Sequence, residues 1–87
     1  MERKEIQKLT VDMLKKQIAK DGPDRTYIES PNAKGRCRWT LAEALEAAEK
    51  DEDLPESNGI NPVSDMVTFI GYCNERGRDW KDIFYSE

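Results

Sequence analysis

The side chains able to do chemistry in this 87-residue chain form two groups of opposite sign, one before residue 40 and one after it. The first sets Arg25, Lys34, Arg36 and Arg38 among the rings of Tyr27 and Trp39. Cationic groups beside aromatic rings suit phosphate backbones and unstacked bases, so this segment is a candidate nucleic-acid surface. The second group is Glu43, Glu46, Glu49, Asp51, Glu52, Asp53 and Glu56, offset only by Lys50. Carboxylates at helical spacing present a row of negative charge that can seat a basic protein or imitate a phosphate backbone. The candidate partner-binding residues are therefore Arg36, Arg38, Tyr27 and Lys34 on one side, and Glu46, Glu49, Asp51, Glu52 and Asp53 on the other.

Residues 1–39 carry a net +4 and residues 40–87 a net −8, which give the whole chain its −4. Two halves of opposite sign can either attract each other within the fold or present opposite faces to partners. Internal pairing is the commoner outcome and is the first expectation here; a binding surface is its rival. The overall acidity opposes general affinity for nucleic acid, because phosphate binding needs a net excess of cations at the interface.

Other chemistries fit the sequence poorly. The chain has no histidine, which removes the commonest metal ligand and the commonest general base near neutral pH. Its two cysteines, Cys37 and Cys73, are too few for a disulfide framework or a zinc site and read as reduced, inward-facing small hydrophobes. The run from Glu49 to Glu56 lacks the order of ligands that a calcium loop needs, and Pro55 interrupts it. A helix-turn-helix is excluded by a connection of about ten residues between the second and third helices, where that motif uses three or four. The chain is thus expected to be no enzyme and to need no cofactor and no metal.

These groups must be positioned by the apolar pattern around them. Ile6, Leu9, Met13, Leu14 and Ile18 recur at three- and four-residue intervals, which predicts a helix from Glu2 to Lys20, stopped by Gly22-Pro23. Its other face is rich in lysine, and the segment nets +3. Residues 26–30 and 36–39 favour strands and flank a turn-rich Pro31–Gly35, which predicts a hairpin. Period-two alternation would turn Cys37, Trp39 and Ile28 inward and send Arg36, Arg38, Tyr27 and Glu29 outward. Thr40-Leu41-Ala42-Glu43 reads as a capping box opening a second helix, whose inner stripe is Leu41, Ala44, Leu45 and Ala48; residues 40–59 net −6.

Leu54 to Asn61 reads as a loop, and Asn61-Pro62 caps a third, apolar helix carrying Val63, Met66, Val67, Phe69, Ile70 and Cys73 and ending at Gly77. Its wide apolar arc predicts that the others pack around it. Arg76 and Arg78 read as helix-end charges, and Trp80, Ile83 and Phe84 predict a short closing helix, with Trp80 and Phe84 in the core and Tyr85 near the end.

The expected fold is therefore a single α+β domain over residues 1–87. It comprises a three-helix core, a β-hairpin between helices 1 and 2 and a short C-terminal helix; an all-α fold is the alternative. No stretch is long and apolar enough for a membrane span, and the polar first residues do not form a signal peptide, which points to the cytoplasm. The expected function is that of a small non-enzymatic protein-binding or regulatory module of the bacterial or phage accessory type. The alternative is a nucleic-acid binder using the hairpin. Monomer and homodimer are both open.

Overall fold

The computed structural model describes residues 1–84, with the backbone alone for Ile83 and Phe84. Among these residues the order is α1 (Arg3–Asp21), β1 (Thr26–Glu29), β2 (Arg38–Thr40), α2 (Leu41–Lys50), α3 (Pro62–Glu75) and α4 (Trp80–Phe84). The two strands pair antiparallel, so the fold is α+β with the hairpin between α1 and α2.

Each boundary has a local cause. Gly22, at φ 91°, donates its N–H to the Ile18 carbonyl at 2.8 Å, and Pro23 follows to end α1. The Glu43 N–H donates to the Thr40 hydroxyl and the Thr40 N–H to the Glu43 carboxylate, each at 3.3 Å, so the capping box opens α2 as its sequence predicts. Asn61 accepts from the N–H groups of Val63 and Ser64 at 2.9 and 3.1 Å, with Pro62 at the first helical position of α3.

The core draws on every element. Ile6 and Leu14 of α1, Trp39 of β2, Leu41, Ala44, Ala47 and Ala48 of α2, and Val63, Ile70 and Cys73 of α3 are buried together. Trp80 of α4 is buried as its spacing predicts, whereas the side chain of Phe84 and all of Tyr85 lie outside the described residues. Thr10 also enters the core, its hydroxyl donating to the Ile6 carbonyl at 2.7 Å, which satisfies the polar atom within its own helix.

Three expectations are corrected. The other helices do not all pack around α3: the most extensive helix contact is between α1 and α2, and it is α2 that meets α1, α3 and both strands. Part of the apolar arc of α3 is left open, with Val67 37 % and Tyr72 53 % exposed.

Tyr27 does not share an outward face with Arg36 and Arg38. Thr26 pairs with Thr40 and Ile28 with Trp39, so two steps along β1 match one along β2, and Tyr27 is the extra residue of a bulge. The bulge breaks period-two alternation, and both Tyr27 and Ile28 lean on the core. Cys37, expected inward, is exposed. The strand register ends at Glu29 and Arg38, and one further bond, from the Ser30 N–H to the Cys37 carbonyl at 2.7 Å, leaves Cys37 at the open end of the hairpin ladder. Arg36, half-buried, instead lays its guanidinium over the Trp39 ring at 5.6 Å.

Trp39 has no exposed surface, and its indole N–H donates to the Pro55 carbonyl at 2.7 Å. Trp39→Ala should cost about 3–5 kcal/mol. Trp39→Phe should cost less, because it keeps most of the ring volume while orphaning that carbonyl. Urea unfolding followed by far-UV circular dichroism checks the ranking, and equal losses for the two would refute the role given to the ring volume.

Candidate functional site

The acidic residues after α2 are divided by the backbone. Lys50 ends the helix and Asp51 takes a left-handed conformation at φ 51°, which turns the chain away. Glu46, Glu52 and Asp53 thereby line one open hollow of about 270 Å³, together with Glu43, Ala47, Lys50 and Pro55. Lys50 reaches the Glu46 carboxylate at 3.1 Å. Its ammonium is held above the ordinary lysine range, first by that hydrogen bond and then by the surrounding charges of Glu46, Glu52 and Glu49. Glu43 and Lys50, part of the same charged run in the sequence, also line this hollow although neither is among the candidate partner-binding residues.

Asp51 is turned to a different task. Its carboxylate receives both Nε and a terminal nitrogen of Arg3, each at 2.8 Å, and the same terminal nitrogen of Arg3 also donates to the Ser64 hydroxyl at 2.9 Å. The Arg3 hydrogen bond holds Asp51 below the usual carboxylate range, and a contact from the Asn61 side chain adds to this. Asp51 thus ties the start of α1 to the end of α2 and the cap of α3. Glu49 stays exposed, while its carbonyl and that of Ala48 accept from the Gln7 amide at 3.1 and 3.0 Å.

The basic candidates are separated in the same way. Arg36 pairs with the Glu43 carboxylate and donates through Nε to the Arg38 carbonyl at 3.1 Å. Arg38 donates to the Thr26 hydroxyl at 2.8 Å and to the Asp24 carbonyl at 3.0 Å. Both guanidiniums therefore brace the hairpin. Arg25 pairs with Asp21 at 2.8 Å. Lys34 is exposed in the hairpin turn, where its N–H donates to the Asn32 side chain at 2.7 Å.

Tyr27 lies apart from all of them, half-buried in a groove between α1 and α3. Loss of water pushes its phenol up to about 12, and the negative charge of Asp65 adds to the shift. Among the described residues, no group of three or more Cys, Asp or Glu side chains is arranged to hold a metal ion. No described helix is long and apolar enough to cross a membrane. In comparison with known proteins, no family model, curated protein or solved structure matches this chain.

Two predictions test this arrangement. The folded-state pKa of Asp51 is depressed, so the stability from its Arg3 pair is present above the unfolded carboxylate value and lost as pH falls through the folded one. Arg3→Gln should unfold at a lower temperature than the parent at pH 7, and the gap should narrow as pH falls below the unfolded carboxylate value of about 3.9 and folded Asp51 takes up its proton. Calorimetry across pH 2–7 reads this. Tyr27 is raised, which gives the opposite direction: stability falls as pH climbs from the unfolded tyrosine value near 10 toward 12. Ultraviolet titration should show a late-ionising phenol that is lost in Tyr27→Phe.

Proposed function

We propose that this chain is a non-enzymatic, cytoplasmic protein-binding module that engages a basic surface on its partner through the acidic end of α2. The observation that carries the reading is the convergence of Glu46, Glu52 and Asp53 on one solvent-facing hollow, with Lys50 the one cation among the described residues that line it. Glu49 and Glu56 extend exposed negative charge beyond the hollow. Internal pairing accounts for part of the charge split, since Arg3 takes Asp51 and Arg36 takes Glu43. The acidic end is the part that those pairs leave facing water. Exposed carboxylates of this kind act chiefly on encounter rate and orientation, which suits a partner that must be found quickly and released.

Nucleic-acid binding through the hairpin has less in its favour. Tyr27 is turned into the α1–α3 groove, Arg36 is held over Trp39 against Glu43, and Arg38 serves the hairpin backbone. That leaves Lys34 as the exposed cation of the four candidates without an ion pair or side-chain brace among the described residues.

The test is capture of a partner from native lysate by the tagged protein at about 50 mM salt, with identification by mass spectrometry. Recovery should fall at about 300 mM salt, because surface charges separated by more than a Debye length are then screened. The triple variant Glu46→Lys, Glu52→Lys, Asp53→Lys should reduce capture at least tenfold while keeping the parent's circular dichroism spectrum. A partner retained equally by parent and variant, or no partner at low salt, would overturn the proposal.

A further inference from the structure

The groove that takes in Tyr27 has a volume of about 220 Å³, and Met13, Gln17, Tyr27, Pro62, Asp65 and Phe69 contribute to its lining. The buried Leu14 and Met66 lie beneath, so its wall is mostly hydrocarbon. That is room for one large side chain, the scale on which an anchor residue of a protein interface is held. Among the described residues that line it, the one that carries a charge is Asp65.

Asp65 is exposed as a residue, but its carboxylate is partly shut off from water, and that loss of hydration raises it above the usual range. Its charge reaches the Tyr27 phenol across the groove. The carboxylate makes no hydrogen bond or ion pair among the described residues, in contrast to Asp51, which holds Arg3 twice. An under-hydrated anion at the edge of a hydrocarbon slot favours an occupant that brings a cation with it, since the pair restores what desolvation removed.

We infer that the α1–α3 groove docks a segment of a partner protein in which an aromatic or large aliphatic side chain is followed by lysine or arginine. The anchor fills the space over Leu14 and Met66, and the adjoining cation meets Asp65. This site is separate from the acidic end of α2 and does not depend on it.

Three blocked tripeptides, acetyl-Gly-Phe-Lys-amide and its norleucine and glutamate counterparts at the third position, serve as probes. Each is titrated to about 5 mM into the full-length ¹⁵N-labelled protein. The lysine peptide should shift the amide signals of Met13, Gln17, Tyr27 and Asp65, and should bind about threefold more tightly than the norleucine peptide, with the glutamate peptide weakest. Asp65→Asn should keep the shifts and erase that ranking. Gln17→Lys, at an exposed position, should weaken the lysine peptide selectively by supplying a cation in place. The triple reversal at the acidic end should change nothing here, which separates failure of this inference from failure of the proposed function. No shifts in the groove, equal affinity for all three peptides, or a ranking that survives Asp65→Asn would overturn the inference. So would groove signals that move on dilution of the protein alone, since the occupant would then be a second copy of the chain.

Discussion

The structure depends most on the placement of Trp39. Its ring has no solvent contact, and it is the last residue but one before α2. One residue therefore joins three things: the hairpin, through pairing with Ile28; the start of α2, through the adjacent cap at Thr40; and the loop after α2, through its hydrogen bond to Pro55. A large ring costs least free energy to bury when its one polar atom is satisfied, and the Pro55 carbonyl meets that requirement. The loop from Leu54 to Ile60 is ordered on the same side: Leu54 is buried, its N–H donates to the Ile60 carbonyl at 2.7 Å, and Ser57 bonds Ile60 in both directions. This loop carries Glu56 and follows Glu52 and Asp53, so the acidic end inherits its shape from the tryptophan.

A second constraint is electrostatic and ties the helices to one another. Arg3, Asp51, Ser64 and Asn61 come from the start of α1, the end of α2 and the start of α3. Pairs of this kind at the surface contribute little energy singly, but they select one arrangement of the helix ends among several that would bury similar apolar area. Arg36 plays a comparable part at the hairpin, lying over Trp39 and reaching Glu43, the residue that also closes the capping box. Opposite charge in the two halves of the chain is thus used partly for folding, and what remains exposed is unevenly distributed.

The uneven remainder gives the surface its character. The acidic hollow beside α2 is open and wet, and the groove between α1 and α3 is apolar with Asp65 in its lining. Both offer negative charge to a cation, but through different physics: the hollow through summed field in water, the groove through an anion that has lost part of its hydration. The half-open apolar arc of α3, where Tyr72 is exposed beneath the Arg76 guanidinium at 4.4 Å, lies on the same helix as Asp65.

The sequence by itself determined the elements and their caps, because those depend on neighbours within four residues. Thr40 with Glu43, Asn61 with Pro62, Gly22 with Pro23 and the three-and-four spacing of Ile6 to Ile18 each act locally, and each appears in the structure. The hairpin was legible for a similar reason. Tertiary structure alone decided the rest. The bulge at Tyr27 breaks the period-two alternation, and it moved a ring from the predicted outward face into a groove. Which acid became a strut and which stayed in water depended on the left-handed turn at Asp51, which brings it to Arg3 across 48 positions of sequence. No spacing rule encodes that distance. The groove formed by Met13, Gln17 and Asp65 was invisible for the same reason, since it exists only where α1 and α3 meet.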